Sequence, residues 1–283
     1  LFIPFIAPFS RLIELTSLSL PRQIANAHTI FNVTVSLLLF PFVHQISNIV
    51  KKLVPAEAKK EKQKVTVFID EMQYAVPAVA ITQAAHELSR LGDVTANMVE
   101  LGCQALTDND LDKARRVVEL ECGTVDPVTK ELEGFINTLM STELTFAQQK
   151  RSFQMKNLLI DVERIGDMAE DIAEFANERM NNNVPFTPDA IVELDELWRC
   201  AHSTYVQSLQ AFKDGDPVLA RHVCDCEKDF DDKCWNAREM HIRRLKAGTC
   251  HPEADVIFTE TLRLLERISD HADNLGVSVS RSH

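Results

Sequence analysis

Two patterns of apolar residues divide the chain. From Gln23 to Val50 no residue carries a formal charge, and the run contains the apolar string Val33-Thr-Val-Ser-Leu-Leu-Leu-Phe-Pro-Phe-Val43. At the helical rise of ~1.5 Å per residue this stretch reaches roughly 42 Å, more than the roughly 30 Å hydrocarbon core of a bilayer. It reads as a membrane-spanning helix. A buried core helix is the alternative, because Asn26, His28, Asn32 and Pro41 dilute the run. No charged segment precedes it and no small-residue cleavage site follows, so it does not read as a signal peptide. The uncharged stretch from Leu1 to Ser10 reads as the end of an earlier span, with Arg11 to Arg22 as the connecting loop. Asn26, His28 and Asn32 either line a polar path or satisfy one another between helices, and the second reading is preferred.

After Lys64 the period changes. Apolar residues recur at three- and four-residue spacing, and prolines fall between periodic stretches rather than within them. The pattern predicts a helix from Pro77 to about Leu106. A second helix is capped by Asp108 or Asn109, interrupted or kinked at Pro127, and continues towards Met140. A third opens at Ser141 or Thr142 and ends at Asn181. Three more are predicted over about 189–213, 217–247 and 253–279. No alternating β-branched run is long enough for a sheet.

These six helices are two copies of three. Ala105-Leu-Thr-Asp-Asn-Asp-Leu-Asp-Lys-Ala-Arg115 aligns with Ala211-Phe-Lys-Asp-Gly-Asp-Pro-Val-Leu-Ala-Arg221, and Val125-Asp126 aligns with Phe230-Asp231. Glu163-Arg-Ile-Gly-Asp167 aligns with Glu266-Arg-Ile-Ser-Asp270. A period near one hundred residues is a duplicated domain, since solenoid repeats run about 20–50 residues. The predicted architecture is all-α: a membrane helix, with the end of a preceding one, followed by two tandem three-helix bundles. The boundaries are 1–50 for the membrane part, 51–76 for a basic linker, and 77–283 for the body, with repeats at 77–184 and 185–283.

Charge sharpens this division. The net charge is −12. The head holds only Arg11, Glu14 and Arg22, for +1, while 51–64 carries six lysines against Glu57 and Glu61, for +4. That leaves −17 on residues 65–283. A lysine cluster directly after an apolar span marks the cytoplasmic side by the positive-inside rule. The body is therefore expected in the cytoplasm, and the protein in a bacterial cytoplasmic membrane with more than one pass. The first residue is Leu, and the head reads as the cut end of something longer. Such an acidic body excludes nucleic acid as a partner, since phosphate backbones need positive surface. Only 8 glycines occur, with no GxGxxG or GxxxxGK[ST] string, which excludes dinucleotide and P-loop enzymes.

The repeated ERI[GS]D string carries the candidate chemistry. Glu163, Asp167 and Asp171 stand at i, i+4 and i+8, as do Glu266, Asp270 and Asn274 in the second copy. Like charges at i, i+4 cost an exposed helix roughly 0.2–0.5 kcal/mol per pair. Doing so twice, at equivalent places, suggests a compensating cation. Oxygen-only ligation suits Mg²⁺, Mn²⁺, Ca²⁺ or iron. Glu227 and Asp231 on the preceding helix, and Asp126 in the first copy, are placed to complete the clusters. The competing reading is a solvated acidic face, partly neutralised by Arg164 and Arg267. A zinc site at Cys224, Cys226, Cys234, Cys250 and His251 is disfavoured: residues two apart on a helix point about 200° apart. No serine, cysteine or histidine stands in a nucleophile motif, so no catalytic residue is assigned and the chain is not read as an enzyme. A metal-dependent phosphohydrolase has only the carboxylates in its favour.

With these residues in hand, the chain resembles bacterial sodium/phosphate cotransporters that end in a PhoU-like domain. Gln23-Ile-Ala-Asn-Ala-His-Thr-Ile-Phe-Asn32 and Leu39-Phe-Pro-Phe42 look like the last membrane segments of that family, and Val76-Pro-Ala-Val-Ala-Ile81 like the start of its cytoplasmic domain. The two ERI[GS]D helices match the PhoU E/DxxxD motif, whose carboxylates bind multinuclear metal clusters in that family. The resemblance implies the C-terminal part of a sodium-dependent phosphate transporter with a metal-binding regulatory domain. The alternative is a membrane-tethered PhoU-type regulator that transports nothing itself. Inorganic phosphate, sodium as coupling ion, the lipid bilayer and phosphate-signalling proteins are the partners implied. The family's QSSS string does not occur, which places the ion and phosphate sites mainly upstream of Leu1. Asn274 replaces an acid, which implies weaker metal binding in the second copy.

Overall fold

The computed structural model describes residues 3–42 and 64–280. It is helical nearly throughout, with no strand among the described residues. Two compact units emerge, Leu1–Gln63 and Lys64–His283. The expected continuation of the span to Val50 and the basic cluster to residue 62 lie outside the described residues.

In the first unit, α1 covers Ile3–Glu14 and α2 covers Leu20–Leu39, extended by a single 3₁₀ turn, Phe40–Phe42. The connection is shorter than the loop expected from Arg11 to Arg22, because the apolar period of α1 continues past Arg11 to Glu14. Ser19 is extended, and a proline in the first turn starts α2 without needing its missing N–H. Pro41 cannot donate to the ladder and coincides with its tightening. Leu20–Phe42 is long and apolar enough to cross a membrane, with mean hydropathy 1.3, and none of α2 is buried within the protein. The head's polar groups satisfy one another locally. The Asn26 amide donates to Thr16 Oγ1 at 3.0 Å, and that of Asn32 lies 3.3 Å from the His28 ring one turn back.

The second unit holds α3 (Pro77–Asp108), α4 (Leu111–Leu120), α5 (Asp126–Met140), α6 (Phe146–Asn181), α7 (Pro188–Asp214), α8 (Pro217–Lys246) and α9 (Pro252–Ser280). A π-helical turn, Glu121–Val125, joins α4 to α5, so these two act as one long helix. One bundle is α3, α4–α5 and α6; the other is α7, α8 and α9; α3 packs on α7 and α6 on α9. The bundles share one continuous apolar core. Between them, the Tyr205 hydroxyl lies 2.7 Å from Thr95 Oγ1, both residues buried.

The first turn of each repeat uses the same device. Asn109 and Gly215 adopt positive φ (60° and 64°), which asparagine and glycine tolerate best. The next residue, Asp110 or Asp216, then caps the following helix by accepting two backbone N–H bonds. The cap is thus one residue beyond the expected Asp108 or Asn109, because Asn109 is spent ending α3. The expected opening of the third helix at Ser141 or Thr142 is likewise corrected. Both hydroxyls bond back to carbonyls of α5, and Thr145 with Gln148 forms the capping box of α6.

The stretch from Lys64 to residue 76, expected as linker, belongs to the body. Glu87, fully buried, accepts from the Val67 and Phe68 amides at 2.8 and 2.7 Å, and Gln83 accepts from that of Asp70 at 3.2 Å. These side chains replace the strand or helix partners that an irregular backbone lacks.

Candidate metal centres

The first cluster forms where α6 lies against the bent helix α4–α5. Glu121, in the π turn, is 3% exposed, and neither of its carboxylate oxygens has a hydrogen-bond partner. It fits because position 166 is glycine: a Cβ there would sit 2.9 Å from Glu121 Oε2. Burial first, and then the charges of Asp167, Asp126, Glu170 and Glu163, push the Glu121 carboxyl up to about 8. Burial also raises Glu163, Asp167 and Glu170, each further raised by neighbouring acids. Asp126, though exposed, acts on all four of these groups and so faces the same place. Arg164 pulls Glu163 and Asp167 the other way without joining either in an ion pair among the described residues.

The second cluster lies between α8 and α9. Glu227, Asp231 and Asp270 each bring one carboxylate oxygen within 4.8 Å of the others. Burial, then Asp231, Asp273 and Asp270, raise the Glu227 carboxyl; burial and then Asp231 raise that of Asp270. Asp273 adds a buried oxygen, Oδ1, with no partner. Glu266 lines the same cleft but is neutralised by Arg238, whose Nη2 donates to both oxygens at 3.2 and 3.0 Å. Arg238, and not the expected Arg267, is the cation that pairs with Glu266 among the described residues.

The clusters are copies, residue for residue. Glu121, Asp126, Glu163, Asp167 and Glu170 correspond to Glu227, Asp231, Glu266, Asp270 and Asp273. The first helix of each set holds its two acids five residues apart in one copy and four in the other. A π turn adds one residue to a helix without turning the far side away, and here it keeps Asp126 in phase with Glu121. The clusters also differ in how deeply the first acid sits: Ser269 stands where Gly166 leaves room for Glu121, and Glu227 is correspondingly only half-buried.

Of the expected residues, Asp126, Glu163 and Asp167 converge in the first copy, and Glu227, Asp231 and Asp270 in the second. Asp171 stays exposed at the rim. Asn274 does not join the second cluster; its amide donates to Asp161 Oδ1 of α6 at 3.1 Å, beside His271 Nδ1 at 2.8 Å from the same oxygen. Helical phase explains this. Eight residues advance the face by about 80°, whereas seven bring it back to within about 20°. The third acid of each face is therefore Glu170 or Asp273, at i+7. Sequence reasoning missed these two and Glu121. The offset of 106 that relates Arg115 to Arg221, carried six residues further, would have placed Glu121 opposite Glu227.

A buried, unpaired carboxylate among like charges is not a solvated acidic face. Oxygens within 4.8 Å of one another suit a common ion, since metal–oxygen bonds of about 2.0–2.6 Å set opposite ligands roughly 4–5 Å apart. The donor set is all oxygen, as hard and borderline cations prefer. The cysteines offer nothing comparable. Cys224 is turned to Asp273 and Cys226 lies 3.6 Å from His222, in keeping with their helical phase. Burial pushes the Cys224 and Cys234 thiols up to about 12, the opposite of an activated nucleophile.

Comparison with known proteins agrees with the duplication. The family model described as PhoU domain matches residues 88–176 and 194–279, and each matched segment holds one set of five acids. The Salmonella typhimurium (strain LT2) protein YjbB, named for inorganic phosphate export, is 21% identical over 276 residues, covering 97% of this chain and 48% of that protein. A phosphate-specific transport system accessory protein PhoU homolog of Synechocystis is 25% identical over 205 residues, covering 71% and 88%. The crystal structure of PhoU from Pseudomonas aeruginosa superposes with a TM-score of 0.67 at 22% identity, covering 74% of this chain and 98% of that one. The chain spans about half the length of the YjbB relative it matches.

Proposed function

Because this chain belongs to the PhoU domain family, we propose that it is a PhoU-type regulator of phosphate transport, tethered to a membrane through α2 and responsive to metal ions held by its two carboxylate clusters. The observation that carries the reading is the duplicated set of five acids, one set in each matched segment, with Glu121 buried and unpaired in the first. Glu121, Asp126, Glu163, Asp167 and Glu170 would hold metal in one repeat, and Glu227, Asp231 and Asp270, with Asp273, in the other. A bound di- or trivalent cation would supply the positive charge that these sites lack. The protein's own residues then relay occupancy: Asp161 on α6, two residues from Glu163, accepts from His271 and Asn274 on α9, next to Asp270 and Asp273. The chain acts by binding and not by catalysis, and its partners are phosphate-transport or phosphate-signalling proteins at the cytoplasmic face of a bacterial membrane.

The test is phosphate flux in cells carrying the full-length gene with Glu121→Gln, Asp167→Asn, Glu227→Gln and Asp270→Asn together. Flux should lose its dependence on external phosphate while the protein stays in the membrane fraction. Flux that responds as in the parent strain refutes the reading.

A second reading is the C-terminal part of a sodium-dependent phosphate transporter. It is favoured by similarity to YjbB that runs through the apolar head as well as the body. Vesicles containing the full-length protein should then move labelled phosphate faster in a sodium gradient than in a potassium gradient; equal rates count against it.

A further inference from the structure

Away from the carboxylates, a groove of about 590 Å³ opens between α3, the first turns of α6 and the end of α7. On α3 it is lined by Thr82, His86, Ser89 and Asp93, whose spacing of four, three and four residues sets them on one helical face. Arg151 of α6 and Phe212 and Lys213 of α7 form the far wall. Phe68, from the stretch that leads into the body, meets His86 edge-on, with ring centres 5.6 Å apart.

Against the net charge of −17 on residues 65–283, this groove gathers Arg90, Arg151 and Lys213. Two of these cations are neutralised. Arg90 Nε donates to Glu87 at 2.8 Å, and Lys213 Nζ lies 2.9 Å from both oxygens of Asp93. Arg151 makes no ion pair among the described residues; its guanidinium lies 5.1 Å from the centre of the Phe212 ring, and burial lowers its pKa. Ser89 is 7% exposed, and its hydroxyl has no hydrogen-bond partner.

An unneutralised guanidinium and an orphaned, buried hydroxyl on one groove are the donors an oxyanion uses. Inorganic phosphate alone would leave most of the volume empty. The groove falls in the range of about 300–1,000 Å³ that small organic ligands occupy, and beside its ion pairs and Thr82 its walls are the rings of Phe68, His86 and Phe212 with Ile81 and Ala85. We propose that this groove binds a small phosphomonoester with a planar apolar body, of the nucleoside monophosphate class, with Arg151 and Ser89 on the phosphoryl oxygens and Phe68, His86 and Phe212 against the body. The site adds to the proposed regulation and does not depend on metal occupancy. Its ligand would touch the contacts that pin the entry to the body, since Glu87 holds Arg90 and accepts from the Phe68 amide.

The test is calorimetric titration of the full chain in detergent, with a chelator present so that the carboxylate clusters are metal-free, using AMP, adenosine and inorganic phosphate. AMP should bind more tightly than about 1 mM, with adenosine and phosphate each at least about tenfold weaker. Arg151→Ala should weaken AMP at least about tenfold and Ser89→Ala by less, whereas Glu121→Gln should leave AMP unchanged, which separates this site from the metal reading. Should Arg151→Ala not fold, Arg151→Gln, which keeps a stem over Phe212, is held to the same criterion. The proposal is overturned if AMP does not bind at about 1 mM, if phosphate binds as tightly as AMP, or if the folded Arg151 variant binds like the parent.

Discussion

Replacing Glu121 with glutamine should stabilise the metal-free protein near neutral pH, although it removes one carboxylate from the proposed metal site. The Glu121 carboxyl has an ordinary value of 4.5 and is pushed up to about 8 in the fold. Between those values the folded state holds the proton and the unfolded state does not. Stability then falls as pH rises, because its slope follows the protons bound unfolded minus those bound folded. This contribution is complete below pH 4.5, declines through the window and is flat above about 8. At about 1.4 kcal/mol per tenfold change in proton affinity, the whole displacement amounts to at most about 5 kcal/mol, and to about 3 at pH 7. Glu121→Gln removes the charge at nearly constant shape, and its amide retains a cost because the parent oxygens already lack partners. A net gain of about 2 kcal/mol is expected at pH 8, or about 4–8 °C in Tm for a body of this size. The assay is thermal unfolding of the full chain in detergent with chelator, at pH 5 and pH 8. The parent should lose stability between the two, and the difference from Glu121→Gln should grow with pH. Glu163, Asp167 and Glu170 are displaced in the same direction, so the variant isolates one share of the slope. Identical pH dependence in parent and variant, or a variant that is less stable at pH 8 without metal, refutes the reasoning.

Other outcomes follow from the same geometry. Manganese or ferric ion bound to the full chain, measured by elemental analysis, should increase from pH 5 to pH 8, since the raised carboxyls of both clusters must shed protons to ligate. Asp270→Asn should cost the second cluster at least about tenfold in metal affinity and leave the first unchanged, as expected for sites with separate ligands. Gly166→Ala places a methyl 2.9 Å from Glu121 Oε2, so it should destabilise by about 1–3 kcal/mol in urea denaturation; combination with Glu121→Ala should relieve most of that loss. Tyr205→Phe removes the buried 2.7 Å contact to Thr95 between the repeats and should cost about 1 kcal/mol in the same assay.

Apolar period, proline placement and the two ERI[GS]D strings were enough to read the six-helix body and its duplication. Local competition among polar residues was harder to read. Asp108, Asn109 and Asp110 all suit a helix terminus, and only the left-handed backbone at Asn109 shows that Asp110 is the cap. The same holds at Ser141, Thr142 and Thr145, where two hydroxyls are drawn back to the preceding helix. In the clusters, Glu163 and Asp167 with Glu266 and Asp270 were visible because the motif repeats in register. Glu121 was hidden because the offset between copies changes by one residue just beyond it. Asn274 was misplaced because i+8 looks regular in sequence while drifting off the helical face. Arg238 pairs with Glu266 across 28 residues, a separation that no local pattern reports.

The π turn at Glu121–Val125 also bears on how the two repeats came to differ in length. An extra residue in a plain α-helix rotates everything beyond it by about 100°, which here would have turned Val125 out of the core and Asp126 away from its neighbours. The wide turn confines that rotation to five residues, so Val125 remains as fully buried as its counterpart Phe230. Drift in length was therefore tolerated at a point where drift in orientation was not. A relative compared with this chain at a fixed spacing would appear to have lost an acid there, although the acid is present one position away.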